Sequence, residues 1–290
     1  MCRASGVQTD NPILLAAQAK VRTETDWSAG GPADLSFTRH YQSDWGKDAA
    51  RPIGPLGKAW THSHSTSLKS STGATGDSVS ITTGEGHLRT FFKATGSSTW
   101  TTASNDVLTQ SASGAWTYQR SDDDATLQFS SGGKLQSVTA RNGWVTSYAY
   151  HADGQLASIT NPFGQTLSLA YDASGRLTSV TTPDQQTIGY AYDGSGRLSS
   201  VTYPDGKSRF FLYEDAGFPQ ALTGIVDETG ARWGTFGYDS TGRATSTELA
   251  GSVNRYQVSY PAADGSGATV IDPLGTARTF NYSLNLGKLV

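Results

Sequence analysis

The chain has 290 residues, 36% hydrophobic and only 16% charged, with a formal net charge of −3 and a single cysteine, Cys2. That is enough apolar material for a buried core. The scattered Lys and Arg form no basic stripe for nucleic acid, one cysteine excludes a disulfide framework or thiolate metal cluster, and no run approaches the roughly 20 apolar residues of a membrane span.

Thr, Ser and Gly are abundant, Met occurs once and long amphipathic helical runs are missing, which is the profile of a β-rich chain. The one helix candidate is Pro12 to Val21, with Ile13, Leu14, Leu15 and Ala16-Ala17. It lacks the basic n-region, the longer apolar stretch and the small-residue cleavage site of a signal peptide. Specialised secretion systems read other addresses. Leu35-Ser36-Phe37-Thr38-Arg39-His40-Tyr41 alternates as a strand does, and Val79 to Thr82 and Leu88 to Phe92 are further strands. Turns rich in Gly and Ser separate them, at Gly73 to Asp77 and Gly96 to Ser98. The change from aperiodic to periodic sequence falls near Asp122-Asp123-Asp124. The expected organisation is a β domain over 1–125 and repeats over 126–290, with no Pro- or Ser-rich linker between them.

In the second part, Gly133, Gly154, Gly175, Gly196 and Gly217 each lie 21 residues from the next. Phe129, Tyr150, Tyr171, Tyr192 and Tyr213 keep the same step four positions earlier. Self-similarity at such a period marks a stacked or wound repeat architecture. The clearest unit runs from Tyr171-Asp172-Ala173-Ser174-Gly175-Arg176-Leu177 through Pro183-Asp184 to Ala191. The next holds Gly196-Arg197-Leu198 and Pro204-Asp205-Gly206. Each unit has two short β-prone runs, each introduced by a turn cluster, so each predicts two hairpin-linked strands. Ile188, Tyr190 and Tyr192 share one face, with Gly189 and Ala191 on the other. Units in register would align Tyr150, Tyr171, Tyr192 and Tyr213 in one row with ring-on-ring contacts. Phe210 and Leu212 break the pattern on the small face, which predicts a cover there. Tyr213 to Tyr238 spans 25 residues, with an insertion, and Tyr238-Asp239-Ser240-Thr241-Gly242-Arg243 restores the motif. Tyr282 and Gly287-Lys288-Leu289 read as the opening of another unit. The expectation is a chain cut off in mid-repeat, the front of something longer, since a terminal repeat needs a polar cap.

Candidate chemistry is sparse. His62 and His64 would share one strand face as a metal pair, with His40 or His87 as third ligand, against the plainer reading of polar positions in the front domain. Ser63 has no Gly-x-Ser-x-Gly elbow around it. Asp122 to Asp124 offers oxygen ligands for calcium but lacks a spaced calcium motif. Asp172, Asp193, Asp205 and Asp239 read as turn formers. The tryptophans Trp27, Trp45, Trp60, Trp100, Trp116, Trp144 and Trp233 read mostly as core, with exposed aromatics on a β face, which can stack on sugars, as the alternative. No catalytic, cofactor or metal residue is assigned. The positions that matter are those of the repeat itself, the tyrosines, glycines and turn arginines Arg176, Arg197 and Arg243.

The Tyr-Asp-x-x-Gly-Arg-Leu units with Pro-Asp-Gly at mid-unit resemble the YD repeats of bacterial RHS proteins and of the related teneurin shells. The front part resembles the domain that precedes those repeats, through Asn11-Pro12-Ile13, Lys20-Val21 with Glu24-Thr25-Asp26, Leu35 to Ser43 and Gly54 to Ser63. The resemblance covers nearly the whole chain. It implies an all-β fold, a wound ribbon of stacked β-hairpin repeats behind an N-terminal β domain. It also implies a shell that encloses a C-terminal toxin or cargo, delivered in contact-dependent competition between bacteria, often by type VI secretion. Such a protein is secreted or at the cell surface, and its partners are the remaining repeats, the cargo and secretion-apparatus proteins. In the family a C-terminal plug cleaves itself with aspartates. Asp272-Pro273-Leu274-Gly275 is superficially similar to a plug motif but sits at mid-unit, so no cleavage residue is carried over. A cell-surface carbohydrate-binding module is the alternative function. An enzyme has no nucleophile, metal or cofactor motif behind it.

Overall fold

Alternating β-branched and aromatic runs between glycine turns give strands throughout the computed structural model, which describes residues 8–261, 267–281, 284–285 and 288–289. The described residues contain no α-helix and two 3-10 turns, Ser43–Gly46 and Ala250–Ser252. Before the repeats come β1 (Ile13–Leu14), β2 (Ala19–Ser28), β3 (Ser36–Gln42), β4 (Trp60–His62), β5 (Ser67–Gly73), β6 (Gly76–Thr82) and β7 (Leu88–Ala94). The expected helix at Pro12 to Val21 is instead the hairpin of β1 and β2, with Ile13 opposite Lys20 and Leu14 opposite Ala19. Its apolar residues find partners across strands, and that tertiary burial outweighs the local helical preference of the alanines.

The chain forms two compact units that interleave along the sequence. The first takes Glu24–His40 and Thr61–Thr187. In it β5, β6 and β7 make an antiparallel sheet. Beyond them run β8 (Val107–Gln110), β9 (Trp116–Arg120), β10 (Ala125–Phe129), β11 (Leu135–Thr139), β12 (Val145–Tyr150), β13 (Leu156–Thr160), β14 (Thr166–Tyr171) and β15 (Leu177–Thr181). Each of these pairs antiparallel with the next. Leu68, Val79, Ile81 and Phe91 of the sheet pack with Leu108, Trp116, Tyr118, Leu127, Phe129 and Leu135 of the meander. Burying a side chain of this size contributes about 1.5–3 kcal/mol. Leu167 and Leu169 are buried while Ser168 and Ala170 are exposed, so the large and small faces separate as the alternation predicts.

The second unit takes residues 8–23, Tyr41–Trp60 and the described residues from Ile188 onward. Its meander is β16 (Thr187–Tyr192), β17 (Leu198–Thr202), β18 (Ser208–Leu212), β19 (Gly224–Val226), β20 (Arg232–Tyr238), β21 (Ala244–Leu249), β22 (Val253–Ser259), β23 (Gly267–Ile271) and β24 (Ala277–Asn281). These too pair antiparallel in order. Ile13 and Leu15 pack against Ala244, Val258, Tyr260, Ala268 and Val270. The Ala244 N–H donates to the Gln18 carbonyl at 2.9 Å. Among the described residues Phe210 stays 45% exposed where the sequence predicts a cover over the small face, while its neighbour Phe211 is buried. The expected opening of a further unit at Tyr282 and Gly287 lies outside the described residues.

One turn joins these strands again and again. The Gly175 N–H donates to the Asp172 carbonyl and the Asp172 N–H to the Arg176 carbonyl, both at 2.9 Å, and Gly175 sits at φ +79°. This is a three-residue hairpin loop, a type I turn followed by a left-handed residue that makes a bulge. The same bond pair recurs at 83–87, 111–115, 130–134, 140–144, 151–155, 161–165 and 182–186 in the first unit, and at 193–197, 203–207, 227–231, 239–243 and 272–276 in the second. The left-handed position needs glycine because a Cβ there crowds the backbone. Only the 182–186 turn places another residue there, Gln185 at φ +62°.

Candidate functional site

The repeat positions make a connected set of bonds, beginning at the turn aspartate. Asp172 Oδ1 accepts the Ser174 N–H at 2.8 Å and the Arg176 N–H at 3.0 Å, and Oδ2 accepts Arg176 Nε–H at 2.7 Å. Asp193 does the same with Ser195 and Arg197, at 2.9, 3.0 and 2.6 Å. Asp239 repeats it with Thr241 and Arg243, at 2.9, 3.0 and 2.7 Å, and adds the Thr241 hydroxyl at 2.7 Å. Asp supplies both a turn-forming acceptor and a charge partner for the arginine, which explains why these two residue types sit four apart. The Arg176 N–H chiefly holds the Asp172 carboxyl below its usual range. Burial opposes the charge on Asp239, but its bonds to Thr241 and Arg243 outweigh that and bring it to about 2.

The basic residue that closes the turn continues to the next unit. Lys134 lies 5.3 Å from the Tyr150 ring centre, Arg197 4.9 Å from that of Tyr213 and Arg243 5.1 Å from that of Tyr260. Such cation–π contacts contribute about 0.5–1 kcal/mol at exposed sites. The tyrosine hydroxyl in turn reaches back across a unit. Tyr150 donates to the Leu135 carbonyl at 2.8 Å, Tyr171 to Leu156 at 2.9 Å, Tyr213 to Leu198 at 3.0 Å, Tyr238 to Leu222 at 2.9 Å and Tyr260 to Ala244 at 2.8 Å. The bond that links successive units is therefore hydroxyl to carbonyl. The ring partner of Tyr171 is His151, edge-on at 6.4 Å. Tyr192 donates to the Pro55 carbonyl at 2.8 Å.

Gly133, Gly154, Gly175, Gly196 and Gly242 all hold the left-handed turn position, at φ between +74° and +93°. Gly217 does not. It lies in the insert after Tyr213, where its N–H donates to Asp215 Oδ1 at 2.9 Å. That insert is what the segment Tyr41–Trp60 grips. The Tyr41 hydroxyl accepts the Leu222 N–H at 2.7 Å and donates to the Gln220 carbonyl at 3.2 Å, and Trp60 Nε1–H donates to the Tyr213 hydroxyl at 2.9 Å. The break in period at 213–238 flags the insert in the sequence, but nothing there names Tyr41 or Trp60 as its partners.

The histidines do not form a metal pair. β4 ends at His62, whose Nδ1 accepts the His64 N–H at 3.3 Å while its ring stacks on Phe37 at 5.0 Å. His64 Nε2 lies 2.7 Å from the Ser36 carbonyl and Nδ1 lies 3.4 Å from the Tyr148 hydroxyl. Burial drives His62 down to about 3, with His64 and His40 adding to the effect, and burial also lowers His64. His87 sits 3.4 Å from Glu85 and is exposed. No three His, Cys, Asp or Glu side chains among the described residues are placed to hold a metal ion.

Each aspartate of the 122–124 run has its own arginine, Arg89 at 3.0 Å for Asp122, Arg120 at 2.5 Å for Asp123 and Arg141 at 3.3 Å for Asp124. Asp272 caps its turn through the N–H groups of Leu274 and Thr276. The surface hollow lined by His151, Asp153, Gln155 and Tyr171 contains no nucleophile with a base. Trp60 and Trp116 are buried, whereas Trp144 is 36% and Phe163 57% exposed, their rings edge-on at 5.3 Å. No helix among the described residues is long and apolar enough to cross a membrane.

The family described as RHS Repeat matches residues 129–166 and 171–208, and a domain described as DUF6531, a domain of unknown function, matches residues 10–91. No curated protein matches the chain. Among solved structures, the TcdB2-TccC3 crystal structure aligns at 14% identity over 90% of this chain and 19% of its own, with a TM-score of 0.34. A Photorhabdus luminescens Tc holotoxin pore aligns at 13% over 92% and 19%, with a TM-score of 0.38. The chain thus spans about a fifth of the length of those structures. Carrying RHS repeats behind a DUF6531 domain, with the repeat residues bonded as described, the chain belongs to the RHS/YD-repeat family.

Proposed function

We propose that the chain is a wall segment of an RHS-type shell that encloses a C-terminal toxin or other cargo for delivery between competing bacteria, without catalysis of its own. In this reading residues 1–125 are the domain before the repeats and 126–290 the repeats. The observation that carries it is the unit-to-unit linkage: the hydroxyls of Tyr150, Tyr171, Tyr213, Tyr238 and Tyr260 are each tied to a backbone carbonyl 15 or 16 residues back, as Tyr171 is to Leu156. Such a ladder extends by adding units, each stabilised by its neighbours. The titratable candidates also favour a structural role, because His64, Asp122, Asp123 and Asp124 already have partners. Export through a specialised secretion apparatus belongs to the same reading. The test is protease treatment of the natural full-length product. The reading expects a C-terminal segment protected while the particle is intact and digested once it is unfolded, and equal digestion in both states rejects it.

A second reading, a carbohydrate-binding surface, rests on Trp144 and Phe163, which expose aromatic surface on neighbouring turns. Exposed apolar surface of this kind marks interaction sites. Binding on a glycan array that is lost in Trp144→Ala supports it, and a silent array rejects it.

A further inference from the structure

The first hairpin brings a lysine and an asparagine together in the interior of the second unit. Ile13 pairs with Lys20 across β1 and β2, and Asn11, two residues before Ile13, has the same strand parity. Lys20 is 0% exposed and Asn11 5%. Lys20 Nζ lies 2.8 Å from Asn11 Oδ1 and 3.2 Å from the Pro12 carbonyl, with the Phe236 ring centre 4.4 Å away. Asn11 Nδ2 is buried and has no hydrogen-bond partner. A buried amide NH2 without a partner is costly, and folded proteins rarely keep one without reason.

We propose that Lys20 and Asn11 are joined by an intramolecular isopeptide bond. A lysine amine taken out of water in an apolar interior is a competent nucleophile once it has given up its proton, and the carboxamide carbon of Asn11 is one bond from the oxygen that the amine already touches. The amine lone pair attacks Asn11 Cγ, the Nζ–Cγ bond forms and the Cγ–Nδ2 bond breaks. The proton that the amine gives up leaves with Nδ2 as ammonia. No oxidant, reductant or co-reactant enters. The orphaned Nδ2 is the leaving group, so the reaction removes the one group of this pair that the fold leaves unsatisfied. The product is a covalent staple across the hairpin whose Gln18 carbonyl receives the Ala244 N–H.

The test is tryptic peptide mapping of the full chain with accurate mass. Trypsin does not cut at an acylated lysine. The expected result is a peptide of residues 4–22, uncut at Lys20 and lighter than its sequence by one ammonia. In Asn11→Asp the same peptide is expected lighter by one water, while in Asn11→Ala and Lys20→Arg trypsin is expected to cut after residue 20 and yield residues 4–20 at the mass of their sequence. A wild-type chain that is cut at Lys20 and yields residues 4–20 at full sequence mass overturns the proposal. So does a loss of ammonia that persists in Asn11→Ala.

Discussion

The Tyr213 hydroxyl accepts Trp60 Nε1–H at 2.9 Å while donating to the Leu198 carbonyl at 3.0 Å. One phenol thus joins the unit-to-unit ladder to the segment that precedes the repeats in sequence. Tyr213→Phe removes both bonds and takes the acceptor from a buried indole N–H, at a cost of about 1–3 kcal/mol. Tyr171→Phe removes only the bond to the Leu156 carbonyl and costs about 0.5–1.5 kcal/mol. Urea unfolding of the two variants checks the order, and equal midpoints contradict the anchoring role of Tyr213.

Acid is expected to act in two windows. His62 has an ordinary value of 6.5 and stands at about 3 in the fold. The unfolded chain therefore takes up this proton first, and stability falls as pH drops from 6.5 toward 3. His64 and His40 are lowered too and add to the same window. The turn aspartates act later. Asp239 is brought from 3.8 to about 2, so its contribution is complete above 3.8 and is lost as pH falls toward 2. Urea midpoints across pH should show both declines. His62→Gln should flatten the first, and Asp239→Asn should flatten the second while lowering stability at neutral pH.

Gln185 holds a left-handed conformation that twelve sister turns among the described residues give to glycine. Relief of that strain, about 1–2 kcal/mol, exceeds the added chain entropy of a glycine, about 0.5–1 kcal/mol. Gln185→Gly is expected to stabilise by up to about 1 kcal/mol. Gly242→Ala is expected to destabilise by more than Gly196→Ala, since a Cβ at Gly242 meets the Phe218 ring at 2.6 Å and one at Gly196 meets nothing within 4 Å. Thermal melts rank the three, and a neutral Gly242→Ala would mean that Phe218 moves aside freely.

The repeat is legible in the sequence because its turn is local chemistry. Asp172, Gly175 and Arg176 are each demanded by a bond or a φ angle within five residues, so their spacing survives as a pattern. The alternation of Leu167 and Leu169 with Ser168 and Ala170 is legible for the same reason, since one register rule governs it. What is not legible depends on distant partners. Gly217 keeps the period by position yet lies in the insert. The apolar run at Ile13 to Leu15 has no local preference strong enough to distinguish helix from hairpin until Ala244 and Val258 cover it. His62 and His64 look like a ligand pair only while β4 is imagined to continue past His62, and Phe37, Ser36 and Tyr148 engage them from other strands.

The central claim is that these residues build the wall of a container. It is tested most directly by electron microscopy of the natural product isolated from its source cells, with its intact mass measured on the same sample. The account predicts a hollow particle with density enclosed in it and a mass well above the 30.7 kDa of this chain. A monodisperse 30.7 kDa protein with no enclosed space would contradict it.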